Sequence, residues 1–95
     1  MPKGYVILTE AIKDPAGMAE YGKLAMHAMA GATILSVDQK PQVIEGDWHG
    51  SQTVVLEFES VDAARAWYES EAYQKAATVR QSAADCNAVI LAGFG

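Results

Sequence analysis

The chain has 95 residues, 51% of them hydrophobic, and a formal net charge of −5; at that length folding removes only about 60–68% of the unfolded chain's surface from water, so a single domain over residues 1–95 with a thin core is expected. The acidic balance and seven scattered Lys and Arg residues exclude a nucleic-acid or anionic-membrane surface, since both need clustered cations. One cysteine, Cys86, cannot close an internal disulfide, no N-terminal segment reads as a secretory signal, and no apolar run nears the roughly 20 residues that span a bilayer, which together predict a cytoplasmic address.

Tyr5 to Ile12 are rich in β-branched and aromatic residues and apolar at both parities, which predicts a central strand covered on both faces. Asp14-Pro15 supplies an N-cap acceptor and a proline at the first helical position, and Met18, Tyr21, Gly22, Ala25, Ala28 and Met29 recur at helical spacing as far as a stop at Gly31. Ala32 to Val37 reads as a second strand, followed by a turn at Asp38-Gln39-Lys40-Pro41 and a short extension over 42–45 that ends on Gly46. A loop carrying Trp48 and His49 leads to a strand over 53–59, in which Val54, Leu56 and Phe58 face one way and Thr53, Val55, Glu57 and Glu59 the other. Ser60 is placed to cap a helix with Asp62 in its first turn, a buried stripe of Val61, Ala64 and Tyr68, and Trp67 on the flank. Ser70 reads as a second cap that restarts the helix, with an inner face of Tyr73, Ala76, Ala77, Arg80, Ala83 and Ala84. Residues 87–92 form the last strand, again apolar at both parities.

The order β-α-β-β-α-β, with the second helix broken in two, is the ferredoxin-like split βαβ arrangement, an α+β fold on a four-stranded antiparallel sheet. Helices cover only one face of such a sheet, whereas the two strands read as central, 5–12 and 87–92, are apolar on both. A second copy packed sheet against sheet would cover the other face. A homodimer is therefore expected, with the mixed Thr53, Val55 and Glu57 face in the contact.

The Tyr5 strand start, Asp14-Pro15, Glu45-Gly46, Glu57-Phe58-x-Ser60, Ala64, Trp67-Tyr68-x-Ser70, Tyr73-Gln74 and Arg80 together resemble a small bacterial family of uncharacterised proteins of about this length, a domain of unknown function within the dimeric α+β barrel superfamily. The likeness covers essentially the whole chain, and the string from Glu57 to Arg80 is its specific part. It implies a ferredoxin-like protomer paired through its sheets, with no established activity. Some relatives elsewhere in the superfamily are cofactor-independent oxygenases, isomerases or haem-binding enzymes, but a shared fold does not carry function. The chain departs from the family pattern at Asp38-Gln39-Lys40-Pro41, where an Arg-Gly-Gly turn is common, and at Gln52, near which an arginine is common.

Arg80 falls within a face otherwise made of alanine and tyrosine, and a buried guanidinium, with five donors and a permanent charge, must find acceptors. An internal carboxylate, a packed stem with its head in water, or a ligand anion would each answer that need. Glu57 matches Arg80 by charge but points away from Phe58, and so away from the helices of its own protomer; pairing across a dimer, or Glu10 in its place, stays open. As a general base Glu57 lacks a neighbouring group to tune it. Trp67, Tyr68 and Tyr73 serve either as core or as the wall of a pocket for a flat ligand. His27 falls opposite the apolar stripe of the first helix, and His49 stands beside Asp47 and Trp48, where a dimer contact and chemistry are both open. The two histidines make no zinc motif, and Cys86 has no cationic neighbour in sequence to activate it.

No metal-ligand spacing or glycine-rich phosphate loop is legible, so no metal and no cofactor is expected. No nucleophile–base pair is legible either, and the catalytic residues stay unassigned. Three classes of function remain. The first is a module that binds a small apolar or aromatic carboxylate in a cleft between sheet and helices, with Glu57, Trp67, Tyr68, Tyr73 and Arg80 as the candidate binding residues. The second is a cofactor-independent oxygenase or isomerase with Glu57 or His27 as base. The third is a structural dimer that acts through a protein partner.

Overall fold

Alternation along the first strand sets the two faces of the sheet. In the computed structural model, which describes residues 2–95, this strand is β1 (Gly4–Ile12), followed by β2 (Thr33–Asp38), β3 (Gln52–Phe58) and β4 (Ala84–Ala92). All four are antiparallel in the order β2-β3-β1-β4. Val6 lies opposite Leu56 and Ile90, Leu8 opposite Val54 and Ala88, and Glu10 opposite Gln52 and Cys86. Those residues share the face beneath the helices α1 (Pro15–Met26), α2 (Val61–Glu69) and α3 (Glu71–Ala83). Tyr5, Ile7 and Thr9 share the other face with Glu57, Val55 and Thr53. The result is the expected ferredoxin-like α+β fold.

Both serine caps form, whereas Asp14, at the N-cap position of α1, accepts no capping hydrogen bond with its side chain. Ser60 Oγ accepts from Ala63 N at 3.0 Å, and Ser70 Oγ accepts from Tyr73 N at 3.2 Å while its own N–H closes α2 on Trp67 O. One serine thus ends one helix and starts the next, which breaks the second helical segment in two. The core is built where these helices meet β1 and β3. Phe58, Trp67 and Tyr73 stack in series, with centroids 5.1 Å and 3.9 Å apart, over Val6, Leu8 and Leu56.

Several boundaries and faces differ from the sequence reading. The first helix ends at Met26, short of Gly31, because the N–H groups of His27 and Ala28 turn back to Leu24 and Ala25 and the Ala28 carbonyl is taken by Trp67 Nε1 at 2.6 Å. Trp67 is therefore a buried member of α2 together with Ala64, and Val61 and Tyr68 are the half-buried flank. Residues 42–45 form no strand, and Ala84 already belongs to β4. β4 is an edge strand, and the central pair is β3 and β1. Its apolar residues at both parities reflect an uncovered surface instead, since Val89 and Leu91 lie about half exposed on the face away from the helices.

The helices sit at different heights. α1 packs on α3, at a point where a Cβ on Gly17 would come within 2.8 Å of Ala83 Cβ, but it makes little close approach to the sheet. None of its residues is buried. The space left under it is where a candidate site is found.

Candidate functional site

α1 is raised over β2 and β3, and beneath it lies a cleft of about 630 Å³. The sheet supplies Leu8, Val54, Leu56, Ile34 and Val37 as its floor, α1 supplies Met18, Tyr21, Met26 and neighbouring Met29 as its roof, and Trp67 closes one side. A bulge between Ile34 and Ser36 returns Val37 to the helix face, so β2 offers two apolar side chains to this floor. Three of the chain's four methionines line the space. Their unbranched, polarizable side chains adapt to occupants of different shape.

At Tyr21 and Gln52 the lining turns polar. Gln52 Nε2 donates to Glu10 Oε1 at 2.7 Å, directly across the β1–β3 ladder. The Tyr21 and Tyr73 hydroxyls are 2.9 Å apart, and the Arg80 Cζ lies 5.9 Å from the Tyr21 ring centroid, a cation–π arrangement. Glu10 is 0% and Arg80 1% exposed, and Glu10 Oε2 and Arg80 Nε have no hydrogen-bond partner among the described residues. Burying polar atoms of charged groups unpaired is expensive. Burial, followed by the proximity of Tyr73 and the hydrogen bond to it, pushes the Tyr21 phenol well above the ordinary tyrosine value. Burial also raises Tyr73, against the opposing pull of the Tyr21 hydrogen bond and of Arg80. Both hydroxyls therefore keep their protons at neutral pH and remain donors.

Of the five candidate residues, Trp67, Tyr68, Tyr73 and Arg80 lie together on the helix side. Tyr68 stands 6.4 Å from the Trp67 ring and 5.8 Å from Tyr73. Only Trp67 lines the cleft itself, while Tyr73 and Arg80 stand behind Tyr21. Glu57 lies on the opposite face, where Oε2 accepts from Tyr5 Oη at 3.0 Å and Oε1 from Lys3 Nζ at 3.4 Å. The hydrogen bond to Glu57 is the main reason the Tyr5 phenol is raised. No ion pair joins Arg80 to Glu57 or Glu10. His27 is exposed at the end of α1.

Sequence reasoning did not bring Glu10, Tyr21 and Gln52 together as a site. The signal for Glu10 was available: it follows Val6 and Leu8 at the same parity, so the strand that buries them must bury a carboxylate as well. Gln52 stands near where the family pattern often has arginine, and here it gives Glu10 a neutral partner.

These features define a ferredoxin-like α+β protein with one helix raised over an apolar cleft. A protein of unknown function from Rhodopseudomonas palustris shares the fold with a TM-score of 0.74 at 18% identity, over 99% of this chain and 84% of that one. A dimeric ferredoxin-like protein of unknown function from a Jannaschia species aligns with a TM-score of 0.71 at 11% identity, over 94% of this chain and 97% of its own. SnoaB, a cofactor-independent oxygenase from Streptomyces nogalater, aligns with a TM-score of 0.68 at 13% identity, over 100% of this chain and 96% of its own. At such identities the likeness is one of fold. The chain belongs to DUF1330, a family defined by a domain of unknown function, which it matches over residues 3–94; no curated protein matches it in sequence. Among the described residues no helix is long and apolar enough to cross a membrane, and no cluster of His, Cys, Asp and Glu is arranged to hold a metal ion.

Proposed function

We propose that the protein is a small-molecule binding module whose ligand lays an apolar or aromatic body in the cleft under α1 and turns one polar end toward the Gln52–Glu10–Arg80 cluster. The observation that carries this reading is the 630 Å³ apolar cleft in which two polar lining residues, Gln52 and Tyr21, stand against Glu10 and Arg80, two buried charged residues outside the lining that each keep an unpartnered atom. The chemistry of those atoms selects the polar end. A hydroxyl offers Glu10 the donor it lacks and Arg80 the acceptor it lacks. A carboxylate, the end expected from Arg80 alone, answers Arg80 but sets a second negative charge near Glu10. Trp67 and Tyr21 are the aromatic walls, and Tyr68 and Tyr73 support them from behind.

Thermal unfolding of the full chain with 2-phenylethanol, phenylacetate and ethylbenzene tests this. The alcohol raises the Tm most, and the rise grows with concentration as expected for a ligand bound by the native state alone. Glu10→Gln reduces the preference for the alcohol over the hydrocarbon. Three probes with no effect at millimolar concentration would remove the proposal, and phenylacetate acting most strongly would return the anchoring role to Arg80.

The protein works as a homodimer in this proposal, paired through Ile7, Val55, Val89 and Leu91 on the face away from the helices. Support comes from the uncovered apolar side chains there and from neighbours of the same fold that are themselves dimeric. Light scattering should give twice the chain mass at micromolar concentration, and Val55→Asp should halve it, because an unpaired charge then sits in the contact.

A further inference from the structure

On the face away from the cleft, the loop before β3 folds back onto β1. Trp48 Nε1 donates to Thr53 Oγ1 at 2.8 Å, and Ser51 N donates to Glu10 O at 2.9 Å. Gly50 has φ +80°, and a Cβ there would come within 2.5 Å of the Glu10 carbonyl carbon. Glycine thus permits the close, left-handed turn that sets His49 over Thr9. His49 Nδ1 is 2.7 Å from Thr9 Oγ1, and its Nε2 is 3.5 Å from Asp85 Oδ2.

The hydrogen-bond polarity follows from the acceptors. An ionised carboxylate only accepts, so the ring proton belongs on Nε2 toward Asp85, and Nδ1 is left to accept the Thr9 hydroxyl proton. Hydroxyl to imidazole to carboxylate is the direction that activates a nucleophile. Directly across the ladder from Thr9, on the same face, is Asn87, whose amide is a side-chain donor of the kind that stabilises an oxyanion. Ile7, Val89 and Trp48 join these residues around a pocket of about 260 Å³, large enough for a small acyl group.

We propose that this pocket is an acyl-transfer site, distinct from the cleft, that accepts small esters. Thr9 Oγ1 attacks the ester carbonyl while its proton passes to His49 Nδ1, and Asn87 faces the oxyanion. Collapse breaks the bond to the alkoxide, which leaves with the proton from His49. Water then attacks acyl-Thr9, gives its proton to His49, and the carboxylic acid is released with Thr9 restored. Asp85 is a positioning residue, acting through the imidazole. Ile7 and Val89 also belong to the patch proposed for dimerisation, so a second copy would deepen the pocket, but every reacting group comes from one chain.

The test uses 4-nitrophenyl acetate and the full chain. A burst of 4-nitrophenolate is expected, with one acetyl group per chain recovered after acid quench on the peptide that holds Thr9. Thr9→Val and His49→Gln each lower the rate at least 100-fold, in line with the usual scale of general-base catalysis. Thr9→Ser keeps the activity, and Lys75→Ala, on the exposed face of α3, leaves it unchanged. Asp85→Asn lowers kcat about 10-fold with KM unaltered, and Asp85→Glu restores part of the loss; a purely structural role would not separate the two parameters. Should Thr9→Val fail to fold, the site of the acetyl group in the native chain and the effect of His49→Gln decide the matter. Acetyl groups confined to lysines or to His49, or hydrolysis no faster than in buffer, overturn the proposal.

Discussion

α3 buries Tyr73, Ala76, Ala77, Arg80 and Ala83, whereas α1, only one residue shorter, buries none. Both helices lie over the same sheet, so the difference comes from the side chains they turn inward. The alanines of α3 let its backbone come close to α1 and to β4, and the Tyr73 ring fills what remains. α1 turns Met18, Tyr21 and Met26 inward and meets α3 through Gly17. These long side chains hold it off the strands, and Ile34 and Val37 of β2 stay about half exposed beneath it. One half of the helical layer buries its inner face completely, and the other is a rim around a gap. A thin domain can leave such a gap only if the packed half carries most of the stability.

The largest test of that division is Trp67→Ala. Trp67 stacks on Tyr73 and Phe58 and bonds the Ala28 carbonyl, so its loss removes aromatic contacts, a hydrogen bond and a large buried volume together. Losses for such truncations are about 3–5 kcal/mol, and urea unfolding should show a change of that order. A loss below about 1 kcal/mol would mean that the aromatic stack is not what holds the domain together.

A smaller effect is expected at high pH, at the seam between the halves, where Tyr21 and Tyr73 share a hydrogen bond. Both phenols are raised in the folded state, chiefly by burial. For a raised phenol the stabilising contribution is fully present below the unfolded value, near pH 10, and is lost as the pH climbs toward the folded value. The protein should therefore lose stability above about pH 10, with two of its four tyrosines ionising only as it unfolds. Absorbance at 295 nm followed against pH reports this directly, and Tyr21→Phe should weaken the alkaline loss. Smooth ionisation of all the tyrosines near pH 10 with the fold intact would contradict the burial of this pair.

Much of the packed half was legible in the chain. Ser60 and Ser70 announce their helix starts, and the Tyr73-Ala76-Ala77-Arg80-Ala83 spacing names the buried face of α3 as the structure has it. The open half was less so. Helical spacing says which way Met18 and Tyr21 point but not how far α1 stands from the sheet, because that distance is set by contacts between residues remote in sequence. The pattern of β4 reads as central although the strand lies at the edge, because apolar residues at both parities describe an edge strand with an uncovered face as well as a central one. The Thr9–His49 contact joins residues 40 apart, and only the register of β1 and the tight turn at Gly50 bring them together. Glu57 matches Arg80 by charge, but its parity in β3 reads it onto the far face, where the structure has it bonded to Tyr5.

The smallest expected effect, and the sharpest for the comparison, is Met18→Ala in α1. A fully buried methionine usually costs about 2–5 kcal/mol when cut to alanine, because its transfer free energy is lost and a new cavity is left. Met18 already faces the cleft, so truncation enlarges an existing space instead of creating one, and part of its surface is in water beforehand. Alanine is also the better helix former by a few tenths of a kcal/mol. The net change should fall under about 1 kcal/mol by urea unfolding, several-fold below that of Trp67→Ala, while the stabilisation given by an aromatic alcohol shifts toward bulkier compounds. A loss of 2 kcal/mol or more would mean that α1 closes onto β2 and β3 in solution, filling the space with its own methionines, and that a ligand must first lift the helix to enter.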